Sequence, residues 1–226
     1  MKSFGLFLAL SWLLRSPLGR LLLLVAVLVY LDHRYFGLLA ALMAPIYRHQ
    51  RIASLRHAVE INPSDVRAMV ELGEHYLRNG GYRTAAEYLE KAFDRGEDGA
   101  RANFLLGAAW VKLGRHGEGR VRLQQAVALK PDVAYGEPYL YLIEEAAATD
   151  GGRSPRVDEL VEKLRRFESV EMLTRAGHLC RQAGRNELAR QLFAEAIQDY
   201  QFIPRNMRRR ERRWLWRAHL GQMQAR

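Results

Sequence analysis

The sequence predicts an all-α solenoid of about three to four helical hairpins, with an apolar N-terminal segment and a basic C-terminal helix. Three observations predict it. Leu72-Gly73, Tyr76, Gly80, Ala85, Leu89 and Ala92 return 34 positions later as Leu106-Gly107, Trp110, Gly114, Gly119, Leu123 and Ala126. A fixed period of this size marks units too small to bury their own apolar faces, which must stack on their neighbours. Within each copy the spacing is helical: a large residue, a glycine and an aromatic lie on one side of helix A, and small, large and small residues lie on helix B at i, i+4, i+7. The chain also lacks useful alternating Val/Ile/Thr runs, and most of its seven prolines fall at expected helix edges, so no sheet is expected.

Taken in order, residues 1–34 read as a membrane anchor. The run "LLLLVAVLVYL" has 11 residues, about 16 Å as a helix, short of the roughly 20 residues a bilayer needs. Extended back to residue 12 it is long enough, with Arg20 snorkelling to the headgroups. A cleaved signal peptide and a buried core segment are the competing readings, but no convincing small-x-small cleavage site precedes the leucines, and the apolar character continues beyond them. Residues 35–65 read as an interfacial segment or a partial repeat. Leu55, Ala58 and Pro63 stand 34 before Leu89, Ala92 and Glu97, so residues 35–47 would supply that unit's helix A.

The hairpins follow as 66–99, 100–133, a degenerate 134–169 and 170–203. Turns at Asn79-Gly80-Gly81 and Gly114 supply positions where positive φ costs nothing. Ala176-Gly177, Cys180, Gly184, Ala189, Phe193 and Ala196 form a further copy. The degenerate unit has Pro138 in its first turn, Asp150-Gly151-Gly152 between its helices, and a stripe of Val157, Leu160, Leu164 and Phe167. Cys180, at the place of Tyr76 and Trp110, reads as a packing residue.

Residues 69–131 resemble the tetratricopeptide repeat. The residues are Met69-x2-Leu72-Gly73-x2-Tyr76, Ala85-x3-Leu89 and Ala92, then Asn103-x2-Leu106-Gly107-x2-Trp110, Gly119-x3-Leu123, Ala126 and Pro131. Met69 and Asn103 depart from the family's tryptophan, Glu97 from its proline and Gly119 from its alanine, the last weakening its helix by up to about 1 kcal/mol. The resemblance implies a tetratricopeptide-type solenoid whose concave side is lined by helix A at five positions of each repeat. Here those are Arg67, Val70, Glu74, Leu77 and Arg78, then Arg101, Phe104, Ala108, Val111 and Lys112, then Glu171, Thr174, His178, Arg181 and Gln182. Val70 and Glu74 depart from the family's clamp for chaperone carboxylates. A peptide or helix with apolar and basic character is the expected partner.

The net charge of +10 is uneven: residues 1–45 carry +3, residues 46–203 carry zero and residues 204–226 carry +7. The solenoid is therefore neutral and both ends are basic. Residues 204–226 read as a capping helix with Met207, Trp214, Leu215, Ala218 and Met223 inward. Its Arg208, Arg209, Arg210, Arg212, Arg213 and Arg217, with Trp214 and Trp216, also suit an acidic surface, either anionic lipid or an acidic protein. Nucleic acid fits poorly, because no nucleic-acid module accompanies the run.

The sequence announces no chemistry. Its seven histidines are scattered, and His178-x-Cys180 lacks the second ligand pair of a zinc site. Glu144-Glu145 and Glu159 with Glu162 read as acids on solvated helical faces, and the turn glycines lack the lysine of a phosphate loop. No catalytic residue, metal or cofactor is expected, and the chain is not read as an enzyme.

The expectation is a single-pass scaffold, resembling in architecture the membrane-anchored repeat proteins of bacteria. It would sit in the bacterial inner membrane with the repeats on the cytoplasmic face, and would hold a partner or an assembling membrane complex at the bilayer. The alternative is a peripheral lipid- or nucleic-acid-binding protein acting through its arginine-rich helix.

Overall fold

The computed structural model describes Leu21, residues 38–149 and residues 154–225. The chain divides into two compact units, Met1–His57 and Ala58–Arg226. Between Leu38 and Gln224 the described residues form ten α-helices, and there is no strand among them.

The first helix, α1 (Leu38–Ile61), is continuous over 24 residues. Where a hairpin between residues 35–47 and 51–61 was expected, there is one rod. The reason is local, since the "YRHQR" junction holds no glycine or other residue that would turn the chain. No described helix is long and apolar enough to cross a membrane, and the span expected over residues 12–31 lies outside the described residues apart from Leu21.

The second unit is a run of hairpins: α2 (Val66–Arg78) with α3 (Tyr82–Phe93), then α4 (Ala100–Lys112) with α5 (His116–Leu129). A short 3-10 turn over Val133–Gly136 leads into α6 (Glu137–Thr149), which is followed by α7 (Pro155–Arg165). The last pair is α8 (Val170–Gln182) with α9 (Asn186–Asp199), and α10 (Arg205–Gln224) lies against both of them.

The repeat residues account for this packing. Gly73, Gly107 and Gly177 each face the large residue of helix B. A Cβ on Gly73 would lie 2.5 Å from Leu89, on Gly107 2.8 Å from Leu123, and on Gly177 2.7 Å from Phe193. Those three large residues are fully buried, which is worth about 1.5–3 kcal/mol each. Gly119, which departs from the family's alanine, has a packing reason of its own. A Cβ there would meet Val111 at 2.7 Å and the Gly107 carbonyl oxygen at 2.9 Å, so α4 and α5 touch backbone to backbone. The turns at Gly80, Gly114 and Gly184 all have positive φ, between 76° and 81°, a conformation nearly free for glycine and costly for other residues.

Helix starts follow capping chemistry. The Asp65 carboxylate accepts from the Ala68 N–H at 2.9 Å, and Ser169 accepts from Met172 at 3.4 Å. Ser154 accepts from the Arg156 N–H at 3.2 Å just ahead of Pro155, which needs no hydrogen-bond acceptor in the first helical position.

Two packing expectations are corrected. Glu145 is not on a solvated face: it is buried, with Arg156 Nη2 at 2.8 Å and Arg120 Nη1 at 3.9 Å. A buried carboxylate persists only when paired. In α10, Met207 and Met223 are exposed, and the inward face is Trp214, Ala218 and Gly221. Glycine at 221 is what lets α10 reach the Phe193 ring, which occupies the space a Cβ would need.

Candidate functional site

The first helices of successive hairpins line one side of the second unit, and two pockets open there. One, of about 500 Å³, is walled by Glu74, Leu77, Arg78, Arg101 and Phe104 together with Tyr135 and Tyr141. The other, of about 660 Å³, is walled by Lys112, Glu144, Arg175, His178, Trp214 and Arg217, again with Tyr141. Tyr141 is the wall common to both, so the two pockets are neighbouring parts of one groove.

Tyr141 is the residue that reading the sequence missed. Val70, Phe104, Tyr141 and Thr174 are each the fifth residue of their helix A. The Val133–Gly136 turn lengthens the step from Phe104 to Tyr141, so a strict 34-residue ruler passes over it. A usable signal was present in the pattern Pro-Tyr-Leu-Tyr of the degenerate helix, once its start was set by Pro138. The Tyr141 ring meets Phe104 edge to face, with centroids 5.9 Å apart, and Lys112 Nζ stands 5.6 Å above it. Burial, then the nearby Glu137 carboxylate, pushes its phenol up to about 12.

Charges in the groove are mostly matched. Glu74 is shared by Arg78 and Arg101. Lys112 Nζ donates to both oxygens of Glu144 at 2.6 and 2.7 Å. Arg175 pairs with Glu137 at 2.9 Å and with Glu171 at 3.5 Å. His178 lies edge to face on Phe193, with centroids 5.0 Å apart. Burial, reinforced by the cations Arg181 and Arg217, holds its pKa below the ordinary imidazole value, so it is a neutral groove residue at pH 7.

Other residues singled out from the sequence lie elsewhere. Val70, Ala108, Val111 and Thr174 are buried, Val111 because it packs on Gly119; they support the groove from beneath and do not form its surface. Arg67 is on the exposed edge, 3.5 Å from Glu71, and Arg181 is half-buried beside His178. Cys180 is fully buried, and burial pushes its thiol up to about 11, consistent with a packing role. Among the described residues no cluster of three or more His, Cys, Asp or Glu side chains is spaced to hold a metal.

In α10 the arginines divide. Arg208 is turned back on the chain, its Nε donating to the Ile203 carbonyl and its Nη2 to the Gln201 carbonyl, both at 2.8 Å. Arg209, Arg210, Arg212, Arg213 and Arg217 are exposed, as is Trp216. Trp214 does not present its ring outward. It is buried against the last hairpin, with the Arg213 and Arg217 guanidiniums 5.2 and 4.7 Å from its centroid.

Residues 70–134 match the tetratricopeptide repeat. This match covers most of the two hairpins α2–α3 and α4–α5. Mouse Superkiller complex protein 3 is 31% identical over 123 residues, which is 52% of this chain but only 8% of that protein's length. Three crystal structures share the fold. MamA has a TM-score of 0.53 at 22% identity, covering 66% of this chain and 86% of that one. YrrB, described as a TPR protein with an unusual peptide-binding site, has a TM-score of 0.50 at 22% identity, covering 71% and 82%. TTC0263, a thermophilic TPR protein of Thermus thermophilus, has a TM-score of 0.59 at 17% identity, covering 81% and 96%. The hairpin run is an all-α, tetratricopeptide-like solenoid.

Proposed function

We propose that this protein is a membrane-anchored scaffold that holds a partner protein, or a membrane complex under assembly, by seating a peptide or helix of the partner in the groove around Tyr141. The observation that carries the reading is the groove itself: two pockets of about 500 and 660 Å³ meeting at one aromatic ring. Aromatic floor and ion-paired rim are what an extended or helical segment needs, since apolar anchors give affinity and flanking charges set register. YrrB, a protein of similar fold, has a peptide-binding site. In this reading the repeats present a surface and transform nothing.

The apolar run over residues 21–31 and its flank back to residue 12 support the anchor. The bacterial inner membrane, with the repeats on its cytoplasmic side, is the placement we propose. Anionic lipid there would attract the basic end of the chain. The helix α10 is also read as the cap of the solenoid, supported by burial of Trp214, Ala218 and Gly221 on the last hairpin. One specific observation favours a second role for this helix. Its outward side carries Arg209 and Arg212 in one half and the exposed Trp216, Leu220 and Met223 in the other, a combination suited to anionic headgroups over acyl chains.

The test uses a photo-crosslinking amino acid placed in the full-length protein at Lys112 or Gln182 in the groove, or at the exposed Glu87 of α3, which lines neither pocket. Cells are irradiated, membranes are solubilised in detergent, and adducts are identified by mass spectrometry. The scaffold reading expects one recurrent partner from the two groove positions and none from Glu87. Equal adducts from all three would sink it.

A further inference from the structure

The smaller pocket has a feature the larger one lacks, a strained lip. Ala134 and Tyr135 both have left-handed backbone, with φ of 49° and 51°, and Gly136 continues at 85°. Two successive non-glycine residues in that region are costly, and such strain persists only where the surroundings hold it. Here the supports are visible. Val133 is buried, the Tyr135 N–H donates to the Asp132 carbonyl at 3.1 Å, and Gly136 sits so close to Phe167 that a Cβ would fall 2.5 Å from its ring. What the lip displays is a tyrosine that the fold does not use: Tyr135 is 84% exposed at the pocket rim.

The pocket's charge gives the second clue. Its Glu74 is shared by two arginines, its Glu137 is taken by Arg175, and no carboxylate among the described residues pairs with the rim ammonium of Lys130. The chamber beneath is aromatic and aliphatic, formed by Leu77, Phe104, Leu105 and Tyr141.

We infer that this pocket is the specificity site of the groove, taking one apolar side chain of a partner peptide with a carboxylate beside it: Tyr135 covers the apolar group and Lys130 receives the acid. The inference rests on the scaffold reading above and adds the class of residue recognised. The left-handed backbone at the lip, backed by Gly136 against Phe167, fixes where Tyr135 leaves the chain at the pocket rim before a ligand arrives, so less backbone ordering is left for binding.

The experiment is a selection of random twelve-residue peptides displayed on phage by the immobilised full-length protein. Wild type, Tyr135→Gly, Lys130→Glu and Lys112→Glu are compared, each first shown to be folded by circular dichroism. The expected winners carry an aromatic or branched aliphatic residue next to Asp or Glu. Lys130→Glu should shift the preference at that neighbouring place towards Lys or Arg. Tyr135→Gly should weaken the selected peptides by about tenfold while raising the melting temperature, because glycine relieves the left-handed strain. A merely structural tyrosine would not move these two readouts in opposite directions. If peptides are selected but respond only to Lys112→Glu, the groove binds and the pocket inference is overturned. If wild type enriches no peptide family, the scaffold reading fails and takes the inference with it.

Discussion

In the second hairpin Gly107 and Gly119 bring the α4 and α5 backbones into contact, each blocking the space where the other's Cβ would point. The third hairpin has no such pair. Its first helix starts from the Val133–Gly136 turn and its second from the Ser154 cap, and within it the buried Glu145 is neutralised by Arg156. The second hairpin therefore obeys the repeat and is closed by sterics; the third breaks the repeat and depends on polar pairing. The groove opens beside the irregular one. Its strained lip lies in the turn that breaks the period, and its Tyr141, Glu137 and Glu144 lie on the helix that this turn displaces from the 34-residue spacing.

The sharpest way to break this comparison is to unpair the third hairpin. Arg156→Met should cost about 3–5 kcal/mol in urea unfolding of the full-length protein, because it strands a buried carboxylate. Replacing Glu145 with leucine in the same protein should restore most of the loss. A cost under about 1 kcal/mol would mean that Arg120 alone satisfies the acid and that the third hairpin is not held by this pair.

Next is the second hairpin. Gly119→Ala should destabilise by about 1–3 kcal/mol through overpacking, although alanine is the better helix former by about 1 kcal/mol. A gain in stability would show that α4 and α5 can separate freely and that their backbone contact is incidental.

The groove itself adds a pH signature. Tyr141 is raised to about 12 by burial first and the Glu137 carboxylate second, whereas an unfolded tyrosine ionises near about 10. Its contribution to stability is therefore whole below about pH 10 and is lost as the pH rises through the folded value. In an ultraviolet titration of phenolate, Tyr141→Phe should remove the tyrosine that ionises last, and unfolding of this variant should depend less on alkaline pH. An unchanged titration would place Tyr141 in water and dissolve the wall between the two pockets.

The smallest effects lie at the caps. Ser154→Ala should cost the third hairpin about 1 kcal/mol. In the second hairpin, α4 starts from Gly99 with no side-chain cap, and Gly99→Asp should gain a few tenths of a kcal/mol in thermal unfolding. Equal responses at the two sites would erase the contrast between a capped and an uncapped helix start.

Much of the solenoid was legible in the residues because its determinants are local and periodic. Glycine at 73, 107 and 177 with Leu89, Leu123 and Phe193 opposite is a contact that repeats with the chain, so spacing alone revealed it. Half of the groove followed for the same reason, through Glu74, Arg78, Arg101 and Lys112. The other half did not. Tyr141 slipped because a few residues of 3-10 turn break the period. Trp214 suited both an inward cap and an outward acidic-surface site, because nothing near it in sequence says which side of α10 faces Phe193. The α1 hairpin was over-read: residues at repeat spacing without a turn residue between them give one helix.

Sequence by itself determined that this chain stacks helical hairpins, since an apolar residue recurring at a fixed interval can be buried only by a neighbour with the same interval. Tertiary structure alone decided which side chains share the groove, which carboxylate is buried, and that Tyr135 stands exposed on a strained backbone. Those depend on distances between residues far apart in the chain, and no local preference encodes such distances.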